Sequence, residues 1–592
     1  MIFKIGLYLL FFIPLIESFN RQIGSVVLIV GAILLFLSAM KRIIVRDNIY
    51  YIWLVMLIIF SITTIHSKSL VRSIPELVRY YSLFFIFISI RSYPDVSRIL
   101  NKIFIPMIIL NSFILSIISL VYYIPKLNLP QPINGMNLFF PTFGHNRIAE
   151  LLVYTLPFLI FEYHLSPVYK NKPKILLVLF VSMFIISLGR GSMMIFVLCL
   201  FAFSLFSYRD FLVNNIIKKV IFATGSLIIS FLIIIFVYSN IYIQKDDSKI
   251  IKNLYRPVKN EYRMDYFQEA FIGFWKSPVV GNGLDTFTYI SKIYSPRFSS
   301  WSDYAHNHFL QLFSDTGFFG GLIFLILIIA LFIKPYQNFF RHSLTKLEIG
   351  LLLALTSSAL HSLIDFDWQI NTLFIIFFIG LAILNNQFND KPFIKIRFDN
   401  RFINREIFIY FILLIIFGKL LESFQKFTFQ ELKSFSLHGQ NNKIVKYLNL
   451  YERYDKLNSI IPDWHATIYY KEKNYSKAHL YNKKTIAISG FYGESIVKRD
   501  FLLYLSQAKE LLNKQDTNGA IQMLSKANND YPYYLQKLNK SEELFRIKDL
   551  QSIENQRQTR GKLYLLIEYI ISNINGIFLK EEELLDIISK IS

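Results

Sequence analysis

Apolar residues along this chain come in long runs separated by short polar connections. Runs such as Val26–Leu37 and Leu227–Val237 are almost wholly Ile, Leu, Phe and Val. A bilayer core takes about 20 apolar residues per helix. The pattern predicts spans at Phe3–Phe19, Ile23–Met40, Tyr50–Ile65, Ile74–Ile90, Ile103–Ile124, Ile148–Tyr163, Pro173–Leu188, Ser192–Ser207, Val220–Ile241, Gly317–Ile333, Leu347–Leu363, Ile370–Leu384 and Glu406–Leu420. Only Gly189–Gly191 separates the seventh from the eighth, and several runs are short, so the expected count is about 12–13, with fourteen open. Two stretches break the pattern: a loop over 242–316 and a tail over 423–592.

The tail is rich in Lys, Asn, Tyr and Leu, poor in Gly and Pro, and reads as helical. Ala466, Tyr469, Tyr475 and Ala478 are echoed in spacing by Ala508, Leu511, Thr517, Ala520, Ala527 and Pro532. Small residues at this spacing let two antiparallel helices approach closely, in the manner of a tetratricopeptide-type hairpin. An irregular helical domain is the alternative. The expected architecture is all-α: a polytopic membrane helix bundle over 1–422, carrying the loop 242–316, followed by a helical repeat-like domain over 423–592.

Composition agrees. With 54% hydrophobic residues among 592, the chain excludes disorder, a coiled coil or a soluble enzyme over most of its length. The single cysteine, Cys199, excludes an internal disulfide and a thiolate metal cluster. The first twenty residues lack a small-residue cleavage site and read as a retained first span.

The net charge of +22 first suggests nucleic acid as a partner. Its distribution says otherwise. Lys and Arg crowd into alternate connections, at 41–46, 91–102, 170–174, 209–219, 334–346 and 391–405. The short connections between them hold only Arg21, Lys68, Arg72, Lys126, Arg147 and Arg190. Cationic loops stay cytoplasmic. The N-terminus is therefore expected inside, with the 242–316 loop and the tail outside, and the positive charge is a topology signal with no call for nucleic acid.

Polar groups at membrane depth are functional candidates. They gather near the outer ends of the spans. Arg190 stands between glycines in Ser187–Ser192, where backbone or ligand can come close. Its planar fork suits phosphate or carboxylate; a loop arginine snorkelling to headgroups is the alternative. In the loop, Arg263 is a second candidate anion ligand, unless it pairs with Asp265 or Glu269. His306 can take a proton near neutral pH, and Asn307 can orient it or a substrate. Asn146 and Arg147 enter the sixth span, Asn146 one turn from Glu150 on one face, with Arg147 a further phosphate contact. Asp365 and Asp367 have a spacing that can hold a divalent ion, and Trp368 reads as an interface anchor or a platform for sugar. There is no Walker loop, dinucleotide glycine fingerprint or HExxH, which argues against a nucleotide-driven pump and a zinc protease. A transporter of lipid-linked glycan would need polar residues through the depth of the bundle, whereas here they collect at one surface.

The order Gly144-His145-Asn146-Arg147-Ile148-Ala149, Ser187–Ser192 around Arg190, Arg263, Pro278-x-x-Gly281-x-Gly283, His306-Asn307-x-Phe309-Leu310-Gln311 and Thr316-Gly317 resembles the O-antigen ligase superfamily over roughly residues 1–420. That group includes O-antigen polymerases and protein O-oligosaccharyltransferases. Asp315 departs from the usual Glu but keeps the carboxylate. The resemblance implies an inverting, metal-independent glycosyltransferase of the membrane-embedded GT-C type, in the bacterial inner membrane and without a cofactor. It would move a glycan from undecaprenyl diphosphate to an acceptor hydroxyl of a lipid A-core, a sugar or a protein on the periplasmic side. His306, Arg190 and Arg263 would be catalytic; Arg147, Asn146, Asn307, Gln311 and Trp368 would bind substrate. Members with a helical-repeat tail exist, so the tail would be periplasmic and could meet a protein partner.

Overall fold

A computed structural model describes residues 1–40, 44–123, 144–162, 172–187, 189–206, 262–295, 301–386, 400–438, 441–489, 494–516 and 518–526. Among these, every regular element is helical apart from one isolated bridge, Ser69 to Asp455. The helices are α1 (Ile2–Phe19), α2 (Arg21–Ala39), α3 (Asn48–Ile65), α4 (Leu70–Arg91), α5 (Val96–Ile99), α6 (Ile105–Tyr123), α7 (His145–Glu162), α8 (Lys172–Ile186), α9 (Arg190–Phe206), α10 (Arg263–Lys276), α11 (Phe287–Tyr294), α12 (His308–Phe340), α13 (Lys346–His361), α14 (Asn371–Asn386), α15 (Asn400–His438), α16 (Asn441–Glu452), α17 (Ile460–Lys471), α18 (Tyr475–Ser489) and α19 (Glu494–Asn513). Seven helices in the described residues are long and apolar enough to cross a membrane. The chain is an all-α, multi-pass membrane protein. The span expected at Val220–Ile241 lies outside the described residues, as do Thr517, Ala527 and Pro532 of the tail pattern.

The bundle is organised around α4 and α14. Every residue of α4 from Leu77 to Arg91 is buried, and so is α14 up to Asn385. Trp53, Phe84, Phe87 and Phe378 interlock between them, with ring centroids 5.0–5.9 Å apart. Peripheral helices turn Ile58, Leu413 and Leu420 outward, as a lipid-facing surface requires. Away from the site, the first turn of α3 is held by Asp47. Its carboxylate caps Tyr50 N and takes both terminal nitrogens of buried Arg91, Nη1 at 2.7 Å.

The other end of the bundle positions the candidate site. The segment Ser277–Gly283 turns back onto α12, where the helix kinks at Gly317 (φ +70°). Gly283 N donates to Asp315 O at 2.8 Å and Phe318 N donates to Pro278 O at 2.7 Å. A Cβ on Gly281 (φ +75°) would stand 2.2 Å from Asp315 O, so only glycine allows this approach. The glycine motif of the loop and the Thr-Gly of the helix are thus two halves of one joint.

The helix α15 runs unbroken from the apolar bundle into the tail. The tail docks on the site end: Leu70 N donates to Tyr454 O at 2.8 Å, Lys456 N to Lys68 O at 2.9 Å, and Tyr289 Oη to Asp455 at 3.3 Å. Within it, α17 and α18 form a hairpin with Ala466 and Ala478 fully buried, and Ala508 and Ala520 are buried in the next helices.

Candidate functional site

Four backbone segments meet at the site end: the start of α7, the start of α10, the turn before α12, and the connection from α13 to α14. Their meeting point is Asp365, 1% exposed at its side chain. Oδ2 accepts from Asn146 Nδ2 at 2.9 Å and from Arg263 Nη2 at 3.1 Å. Oδ1 lies 3.1 Å from His306 Nδ1 and accepts from Phe366 N at 2.8 Å. Burial pushes this carboxyl up, but the hydrogen bond and charge of His306, with Arg263 and His361, outweigh it and hold Asp365 well below the usual carboxylate range. In the neutral imidazole, the ionised carboxylate favours the tautomer with the proton on Nδ1. That leaves Nε2 as the nitrogen able to take a proton.

His306 sits at φ +53°, a conformation costly for a residue with a Cβ. The backbone around it is held by its neighbours in sequence. Asn307 caps α12 by accepting from Leu310 N at 2.9 Å, and Gln311 Oε1 accepts from Ala305 N at 3.1 Å. The imidazole is stacked on Tyr266 (centroids 5.3 Å) and meets Phe366 edge-on (4.7 Å). Arg147 lies over the Phe366 ring at 5.8 Å, and Arg21 lies over the ring of Tyr304, itself stacked on Phe366, at 5.7 Å. Arg21 also donates to Gln369 O at 2.8 Å. Arg147 and Arg21 therefore flank the aromatic stack that holds His306, and Arg263 lies on Asp365 beside it, an arrangement suited to an anion beside a proton acceptor.

A second polar centre lies alongside. Glu150, His361 and Asp367 are all buried, and one ligand atom from each falls within 4.8 Å of the others. His361 Nδ1 is paired with Asp367 Oδ2 and lies 3.3 Å from Glu150 Oε2; its Nε2 is 3.2 Å from Ser192 Oγ. Burial, with Glu150 and Asp365 nearby, pushes the Asp367 carboxyl up to about 7 against the opposing charge of His361. This centre grips the start of α9. A Cβ on Gly191 would stand 2.9 Å from His361 Nε2, and one on Gly189 2.5 Å from Ala149 Cβ. The glycines on either side of Arg190 thus let α9 seat against α7 and α13. The Arg190 backbone begins α9 at this point; its side chain lies outside the described atoms.

The expected site residues fall into three groups. His306, Arg263, Asn146 and Arg147 come together around Asp365 and Phe366. Asn307 and Gln311, expected to bind substrate, instead satisfy backbone N–H groups and shape the turn that presents His306. Trp368, expected as an anchor or sugar platform, is fully buried: its ring stacks on Phe374 and its Nε1 donates to Ser358 Oγ at 3.2 Å, so no face is left for a sugar. The Asp365 and Asp367 carboxylates, whose spacing could hold a divalent ion although none was expected, turn to different partners, Asp365 to Arg263 and His306, Asp367 to His361. His308, two residues from His306, points into the core beside Tyr80 and Phe324. Sequence reasoning missed Arg21, Tyr266 and Phe366 as site residues and Asp365 as its hub. Their bonds cross 102 residues from Arg263 and 219 from Asn146, beyond any local pattern.

Residues 175–325 match the family model described as O-antigen ligase. The resemblance read from the sequence is thereby supported over the segment that carries Arg190, Arg263 and His306, while Asn146, Arg147 and Asp365 lie outside it. No curated protein and no solved structure matches the chain. The match supports a membrane glycosyltransferase of the O-antigen ligase or polymerase type.

Proposed function

We propose that this chain is an inverting, metal-independent transferase that moves a glycan from undecaprenyl diphosphate to an acceptor hydroxyl at the periplasmic face of the bacterial inner membrane. The observation that carries this reading is the buried Asp365 carboxylate joining Arg263, an anion ligand, to His306, a proton acceptor. The acceptor hydroxyl gives its proton to His306 Nε2 as its oxygen attacks the anomeric carbon. The bond from that carbon to the diphosphate oxygen breaks, and undecaprenyl diphosphate leaves with the bonding electrons. A single displacement of this kind inverts the anomeric configuration. Arg263, Arg147, Arg21 and Arg190 neutralise the charge that develops on the diphosphate. A fixed donor in such a place is worth about 2.7–4 kcal/mol of barrier, by analogy with oxyanion sites. Base assistance adds roughly 10²–10⁴-fold. Asp365 does not touch the reacting atoms; it is a positioning residue that orients His306 and supports its charged form.

The ligase reading, with a lipid A-core acceptor, is the first choice. The tail favours a second, a protein O-oligosaccharyltransferase: α17 and α18 form a helical hairpin, the shape a repeat domain that meets a protein would be built from, and the tail is bonded to the site loop through Tyr289 and Asp455. A polymerase uses the same donor with a sugar acceptor. Deleting the gene separates them. Unligated lipid-linked polymer would accumulate for a ligase, single lipid-linked repeat units for a polymerase, and unglycosylated secreted proteins for an oligosaccharyltransferase. An envelope unchanged in all three would overturn the proposal.

A further inference from the structure

The helix α10 is built inside out for a helix in water. Its exposed stripe is Met264, Gln268, Phe271 and Trp275, residues at positions that share one face. Met264 is 63% exposed, Phe271 55% and Trp275 63%. The opposite face buries Asp265, Glu269, Ala270 and Gly273. A helix packed on a protein and bathed in water would turn its carboxylates out and its aromatics in. This one turns Phe271 and Trp275 out and buries Asp265 and Glu269, and burial pushes the inward Glu269 carboxyl up to about 8.

The exposed stripe does not end with the helix. It passes through Val279, 60% exposed, to Phe318 and Phe319, 47% and 55% exposed. These last two sit just past the kink of α12, a helix long and apolar enough to cross the membrane. The bond from Phe318 N to Pro278 O, 2.7 Å, fixes the loop after α10 to that first turn. From there the same exposed apolar surface runs on through Ile326 and Ile329 of α12. The stripe on α10 is therefore continuous with a lipid-facing surface, and Lys276, exposed at its C-terminal end, can reach a headgroup phosphate.

We propose that α10 lies in the membrane interface, with Met264, Phe271 and Trp275 inserted among the acyl chains of the leaflet on the site side. The occupant of this face is lipid. Tryptophan and phenylalanine on the outward face of a helix are the usual means of such insertion. One consequence rests on the proposed function: Arg263, which begins this helix, is held at headgroup depth, where the diphosphate of a lipid-linked donor lies. The membrane contact itself does not depend on that function.

The test uses the full chain in lipid nanodiscs. Cys199, the one native cysteine, is replaced by serine, and single cysteines are placed by Met264→Cys, Phe271→Cys and, as a water-exposed control on the tail, Lys456→Cys. Each is labelled with an environment-sensitive fluorophore and exposed to lipids with a nitroxide just below the headgroup, then to aqueous iodide. The expected result is loss of most fluorescence at 264 and 271 with nitroxide lipid and little with iodide, and the converse at 456. Two positions on α10 guard against one failing to fold. Iodide quenching at 264 and 271 equal to that at 456 would overturn the proposal. So would oxidative cross-linking of Phe271→Cys between two copies in bilayers, which would make a second chain the occupant. Neither outcome depends on glycan transfer.

Discussion

Replacing Asp365 with asparagine keeps the volume of the side chain and removes its charge. The carboxylate receives Arg263 at 3.1 Å, Asn146 at 2.9 Å and the backbone N of Phe366 at 2.8 Å, and it faces His306 Nδ1 at 3.1 Å. A hydrogen bond to a charged group is worth about 1.5–3 kcal/mol net. Losing it from the imidazolium that forms as the acceptor is deprotonated raises the barrier by that amount, or about 10- to 150-fold in rate. An amide can also donate to Nδ1 and move the proton to Nε2, which removes the base; the full loss then approaches the roughly 10²–10⁴-fold of general-base catalysis. The assay is glycan transfer by purified protein in nanodiscs, at matched protein and with elution volume and thermal midpoint recorded for each variant. Because Asp365 acts through His306, the two changes should not add: His306→Ala combined with Asp365→Asn should be about as slow as His306→Ala alone. Transfer near wild type in Asp365→Asn, or full additivity in the double variant, would refute the reasoning.

Three further outcomes are expected. Glu269, raised to about 8 from an ordinary 4.5, stays protonated in the folded state while the unfolded chain ionises, so the folded state binds more protons between those values. Stability therefore falls as pH rises through that window, by up to about 1.4 kcal/mol per unit; thermal unfolding of Glu269→Gln should be flatter over the same range and less sensitive at alkaline pH. Arg91→Ala leaves Asp47 buried without its cation and should cost about 3–5 kcal/mol of stability, read as a lowered unfolding midpoint in detergent, with the site chemistry untouched. Chelators should leave transfer intact; if they abolished it, the ion would belong with Glu150, His361 and Asp367, the group whose ligand atoms converge, and not with Asp365.

The bundle was legible because membrane spans announce themselves locally. Twelve of the thirteen runs read from the sequence overlap described helices, and the thirteenth, Val220–Ile241, lies outside the described residues. The candidate site was legible in part. His306 and Arg263 stood out as residue types whose charge is expensive near a membrane. Asp365 stood out too, but spacing to Asp367 suggested a shared ion, when burial and partners send the two carboxylates apart. Asn307 carried a local signal that sequence reading passed over: an asparagine directly before an apolar helical run is an N-cap. Trp368 illustrates the opposite error. Tryptophan beside a span suggests an interface, yet the ring is drawn inward by Phe374, Phe377 and the Ser358 hydroxyl. Tyr266 and Phe366, which hold the His306 ring, have no sequence signature, because their value lies only in the angle at which they meet it.

The central claim is tested most directly by adding a polyprenyl diphosphate-linked glycan and a candidate acceptor to the purified protein in nanodiscs, then following release of polyprenyl diphosphate and the anomeric configuration of the product. The account predicts stoichiometric release, an inverted anomeric centre, and loss of both signals in His306→Ala. Retention of configuration, or equal release by His306→Ala, would contradict it.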